Sequence, residues 1–172
     1  MLPNLTTIHD DGNPILLTLY LHRKIRRVIL KIPEVGGAAC FANLRNSKTQ
    51  LTHLSTEYPH PELLELVFDN LDLFAKLRHL GILVFQDHFA ANITSDLALL
   101  STLPHLSSIE LDTFQGEISY LSNLRVQLPR VTRVFHNQAI WTFYDGQWNA
   151  VSGQYTPWEV VNMGLDPSLD PF

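Results

Sequence analysis

Apolar residues recur along this chain in six short stretches separated by polar and turn-forming residues. They read LTTI at 5–8, IRRVIL at 25–30, LTHLST at 51–56, LRHLGI at 77–82, LSSIEL at 106–111 and VTRVFH at 131–136. Each has the form L-x-x-L, and three of the six continue to L-x-x-L-x-L, with first positions at intervals of 20, 26, 26, 29 and 25 residues. Alternation at the end of each stretch predicts a short strand with one apolar side. The segments between carry a different period. Pro14 can open a helix over 15–21 with Asn13 as its cap. Gly36 and Gly37 precede a second over 38–44, and Pro61 precedes a third over 62–71. A fourth is predicted over 97–103 and a fifth over 118–126, where Ile118, Leu121 and Leu124 are three residues apart.

Strand alternating with helix at a period of 20–29 residues is the signature of leucine-rich repeats. One unit cannot bury its own apolar face, but stacked units can. The predicted fold is therefore α/β: a short irregular leucine-rich-repeat solenoid of about six repeats over residues 1–137, with a parallel strand ladder and helices on the convex side. Proline follows the last helical leucine at Pro3, Pro104 and Pro129, ending the helix and turning the chain into the next strand. The pattern breaks down after Asn137. There Asp145-Gly146 joins two β-prone runs, which predicts a two-residue hairpin. Residues 138–172 are thus expected to be a hairpin cap and tail. Trp141, Phe143, Tyr144 and Trp148 would cover the open end of the core.

At 172 residues the chain fits one domain, and 45% apolar residues with a mean hydropathy of +0.02 fit a folded protein. The formal charge of −5 argues against a general phosphate-binding role, so no nucleic-acid partner is expected. No apolar run reaches the length of a membrane span, and no signal-peptide pattern opens the chain, so no membrane partner is expected either. A single cysteine, Cys40, excludes an internal disulfide framework and favours a reducing compartment, cytoplasmic or nuclear.

The repeats also predict a binding surface. Leucines of each unit point inward, and the residues between them point to the opposite, concave face. Arg27, His53, His79, Ser108 and Arg133 form one row there. Ile29, Ser55, Gly81, Glu110 and Phe135 form a second. Lys31, Glu57, Leu83, Asp112 and Asn137 form a third, with Tyr58 and Val84 beside it. The expected partner surface comprises Arg27, Lys31, His53, Glu57, Tyr58, His79, Leu83, Val84, Glu110, Asp112 and Arg133, with Leu83 and Val84 as exposed apolar residues. His53 and His79 are predicted neighbours across two strands, but zinc wants a third or fourth ligand, and only Glu57 offers itself. Neither a metal nor another cofactor is expected. Hydrolase, metalloprotease and nucleotide-binding motifs are missing, so no catalytic residue is assigned. Phe85 and Phe114, with Pro33 and Pro59, occupy the position where many such repeats carry a ladder asparagine, which makes this an irregular version.

The L-P-x-L-x-x-I/V openings at 2–8, 103–109 and 128–134 and the W-to-W element around Asp145-Gly146 (Trp141 to Trp148) resemble the repeat region of fungal F-box proteins of the basidiomycete type. The resemblance covers about residues 1–150. It implies an intracellular, non-enzymatic protein–protein interaction module that recruits substrate for a ubiquitin ligase. In that family an F-box ahead of the repeats docks on the Skp–cullin scaffold. This chain begins inside the repeat pattern at Leu2, with the F-box itself absent, so that role is expected of a longer parent. The other reading of these residues is a free-standing repeat scaffold or inhibitor with no ubiquitin link.

Overall fold

Each L-x-x-L stretch supplies one strand, and the strands lie side by side in chain order. The computed structural model describes residues 7–10, 25–32, 44, 50–84, 96–112, 118–136 and 139–153. Six short strands come first: β1 (Thr7–Asp10), β2 (Arg27–Leu30), β3 (His53–Thr56), β4 (His79–Leu83), β5 (Ser108–Leu111) and β6 (Arg133–His136). They pair in parallel, each with the next. β7 (Ala139–Tyr144) and β8 (Gln147–Ser152) then join antiparallel, giving one eight-stranded sheet in the order β1 to β8. The architecture is α/β with a mostly parallel sheet.

The first apolar residue of each stretch lies just before its strand and is buried, as Ile25, Leu51, Leu77, Leu106 and Val131 show. The second lies within the strand, and Ile8, Val28, Leu54, Leu80, Ile109 and Val134 are all buried on the same side. They share one core with Leu63, Leu66 and Val67 of α1 (Leu63–Phe68) and Leu121 and Leu124 of α2 (Ile118–Gln127). Burial of each such side chain is worth about 1.5–3 kcal/mol. In α1 the apolar residues at three- and four-residue steps make the buried stripe. Asn70 Nδ2 then donates to the Leu66 carbonyl at 2.6 Å, and a 3₁₀ turn over Leu71–Phe74 brings Phe74 into the core. Residues 96–100 are helical, as is Leu44.

A second, polar repeat joins the units. The carbonyl of Arg26 accepts from the amides of Thr52 and His53, and that of Thr52 from Arg78 and His79. Arg78 accepts in turn from Ser107 and Ser108, and Ser107 from Thr132 and Arg133, all at 2.7–3.2 Å. The accepting positions therefore recur every 26 to 29 residues, and each backbone group at the strand entrance is satisfied by the next unit. The returns predicted from Pro104 and Pro129 are present: the amide of Leu106 donates to the Leu103 carbonyl, and that of Val131 to the Leu128 carbonyl.

The hairpin forms as the Asp-Gly pair predicts. Asp145 has φ 52° and Gly146 φ 78°, the left-handed pair a tight two-residue turn requires. Trp141 and Trp148 pack on the core, and Trp148 Nε1 donates to the Leu121 carbonyl at 3.1 Å. Phe143 meets Trp148 edge-on at 5.3 Å and lies under the Arg125 guanidinium at 4.6 Å. The Arg125 group also donates to the Pro129 and Val131 carbonyls, tying the end of α2 to the hairpin. Tyr144 does not join this cover. It alternates to the other face and is 75% exposed. The helix predicted over 15–21, most of that over 38–44, Cys40, Pro33, Phe85 and Phe114, the opening at 2–6 and the tail beyond 153 lie outside the described residues.

Candidate functional site

The row Arg27, His53, His79, Ser108, Arg133 exists as a line of paired positions across β2 to β6. It is not the solvated surface its sequence position suggests. Arg27, His53, His79 and Ser108 are buried, with His79 at 0% exposure, and Arg133 is half-buried. Ile29, Ser55, Gly81 and Phe135 of the second row are buried as well. Part of the cause is mutual. Parallel strands are about 4.8 Å apart, so bulky side chains at equivalent positions cover one another. The His53 and His79 rings stack at 6.0 Å and 27°, and Phe135 closes on His79 edge-first at 5.7 Å.

Polar contacts fix these rings. The Thr52 hydroxyl donates to the Arg26 carbonyl at 3.1 Å, which leaves its lone pairs to accept from His53 Nδ1 at 2.9 Å. His79 Nδ1 shares a 2.9 Å hydrogen bond with the Ser108 hydroxyl, and its Nε2 has no hydrogen-bond partner. Burial, then the neighbouring His53 and Arg133, lower the His79 pKa to about 3, so the ring is neutral. The Ser108–His79 contact has the reach of a nucleophile–base pair. Both groups are buried, however, and no acid orients the second ring nitrogen. Among the described residues no group of three or more His, Cys, Asp or Glu is placed to hold a metal ion.

Glu110 is held differently. Its side chain lies over Gly81, and a Cβ added at Gly81 would sit 2.6 Å from Glu110 Cβ and 2.7 Å from its Oε2. The glycine is therefore the space through which the carboxylate passes, reaching across β4 to the Ser55 hydroxyl of β3 at 3.4 Å. Burial raises the Glu110 pKa to about 7, with the Ser55 hydrogen bond opposing that shift.

Leu83 also departs from expectation. Leu80 pairs with Ile109 but Leu83 with Leu111, so Gly81 and Ile82 together face Glu110 alone. This bulge shifts the rest of β4 by one position. Leu83 turns into the core and is buried, in the place the pattern reserves for Ile82. The Thr56 hydroxyl accepts the Ile82 amide at 3.2 Å where the ladder is broken.

What remains accessible is the rim where the strands end. Tyr58 is 63% exposed, Lys31 is exposed, and Glu57, Val84 and Asp112 are half-buried. Glu57 lies 3.9 Å from Lys31 Nζ and 3.6 Å from His9 Nε2, partly exposed pairs that hold little energy. The structure thus brings Lys31, Glu57 and Tyr58 to an open rim and withdraws Arg27, His53, His79 and Leu83 from it. Sequence reasoning missed the roles of Thr52, Thr56 and Ser107 in joining units; for Thr52 and Ser107, small hydroxyls at the second position of their stretches were the available signal. Among the described residues no helix is long and apolar enough to cross a membrane. No protein-family model, curated protein or solved structure matches the chain.

Proposed function

We propose that this chain is a short leucine-rich-repeat solenoid acting as a non-enzymatic protein–protein interaction module. We further propose that it is the substrate-recognition part of a fungal F-box-type ubiquitin-ligase adaptor of the cytoplasm or nucleus. The observation that carries the reading is the stacking of one strand per 20–29-residue unit in strict chain order, with equivalent positions side by side. Such a ladder keeps its apolar anchors on one side and lets other positions vary, which suits recognition more than chemistry. The surface favoured for the partner is the rim of Lys31, Glu57, Tyr58, Val84 and Asp112. It combines both signs of charge with an exposed aromatic ring, the composition of a protein-binding patch.

The test is affinity capture from the native cell followed by mass spectrometry, with wild type beside Tyr58→Ala and Glu57→Lys. A partner lost from both variants supports the rim; one retained by both removes it. Recovery of Skp–cullin components with an F-box-bearing parent supports the adaptor role. Partners recovered from that parent without Skp–cullin favour the free-standing scaffold.

A further inference from the structure

We propose that two copies of this chain associate through β8, pairing strand to strand about a twofold axis so that the sheet runs on from one copy to the other. This rests on the hairpin alone and does not depend on the recognition role above.

Among the described strands β8 is one of the two sheet edges. An edge strand presents unpaired amides and carbonyls, and most proteins blunt it with charge, proline or a bulge. β8 has none of these. Its six residues, QWNAVS, hold no charge and no proline, and all six pair with β7 in unbroken register. All but Trp148 are exposed, Val151 at 63%. The opposite edge, β1, is blunted: it ends in Asp10, and its exposed His9 lies beside Glu57.

The hairpin sets the register of the pairing. A two-residue turn makes its flanking pair, Tyr144 with Gln147, a hydrogen-bonded one, and the pairs alternate from there. Gln147, Asn149 and Val151 therefore direct their backbone groups toward β7. Trp148, Ala150 and Ser152 direct theirs outward. An antiparallel mate that matches these groups and keeps like faces together places Ala150 opposite Ala150 of the second copy, and Trp148 opposite Ser152. Three such pairs give roughly six main-chain hydrogen bonds. No charge opposes another across them, so a second β8 meets no like-charge repulsion at this edge, and each outward amide and carbonyl exchanges water for a main-chain partner. The symmetry closes the pair, because each copy uses the same edge.

Sedimentation velocity of the full chain over a concentration series tests this, with Ala150→Pro and Ala150→Lys beside the wild type. Proline removes an outward amide that β7 does not use, and lysine places two ammonium groups opposite each other. The wild type is expected at twice the chain mass of 19.6 kDa at high concentration, and both variants at once that mass with unchanged circular dichroism. Exchange of the Ala150 amide in the wild type supplies a readout independent of either variant: its protection is expected to rise with concentration. A wild type that stays monomeric, a dimer that both variants retain, or exchange at Ala150 that ignores concentration overturns the proposal. So does a monomer that instead pairs an added extended peptide along β8.

Discussion

Replacing Glu110 by glutamine is expected to reveal a pH dependence that the native protein conceals. Glu110 titrates near 7 when folded, against 4.5 for a free glutamate carboxyl, so between these values the folded state holds a proton that the unfolded chain has released. Its contribution is fully present below pH 4.5 and is lost as pH rises through 7, by about 1.4 kcal/mol per unit and roughly 3 kcal/mol in all. His79 runs the other way. Its folded value of about 3 lies below 6.5, so its contribution is present above pH 6.5 and is lost as pH falls toward 3. Between pH 4.5 and 6.5 the slopes oppose and nearly cancel. Glu110→Gln keeps the shape beside Gly81 and Ser55 but cannot ionise, leaving the His79 slope alone. The variant should match the wild type below pH 4.5 and exceed it by about 3 kcal/mol at pH 8, since no charge is buried there. Urea unfolding at half-unit steps from pH 4 to 8 measures both curves, and other groups cancel in their difference. His79→Asn should show the mirror image, with stability falling as pH rises from 4.5 to 7. A wild-type-minus-Glu110→Gln difference that stays constant across this range would refute the reasoning.

Other substitutions probe the packing. Gly81→Ala places a Cβ against the Glu110 side chain and is expected to cost about 1–3 kcal/mol in chemical unfolding, with much of the loss relieved in a Glu110→Gly background, which removes the facing Cβ. Leu80→Ala, at a fully buried anchor of β4, is expected to cost about 2–5 kcal/mol in the same assay. Trp148→Phe keeps an aromatic ring against Phe143 but removes the donor to the Leu121 carbonyl; a loss of about 1 kcal/mol in thermal unfolding is expected.

The strands were legible because the apolar spacing states them twice, once within each stretch and once in the interval between stretches. Asp145-Gly146 was legible for a local reason: few other pairs take two positive φ values in succession. Helix positions at α1 and α2 followed from apolar residues three and four apart. Two features were hidden. The Gly81-Ile82-Leu83 run offers two adjacent apolar residues for one inward position, and only the bulge opposite Glu110 decides between them. A glycine within a strand was the available hint of a close approach. The burial of His53 and His79 was hidden because ring stacking joins residues 26 positions apart, and alternation alone assigns such residues to a face without saying what lies against it. The candidate surface was therefore right in its Arg27-to-Arg133 pairing and wrong in taking that row as solvated.

The account rests on β2 to β6 forming one parallel ladder in which equivalent positions meet. Proton NMR of a fully protonated, carbon-13- and nitrogen-15-labelled sample tests this directly. Amide and Hα contacts linking Arg27 with His53, His53 with His79 and Ser108 with Arg133 are predicted, with no close Hα–Hα pairs between these strands. Strong Hα–Hα contacts between neighbours among β2 to β6, the mark of antiparallel pairing, would contradict it.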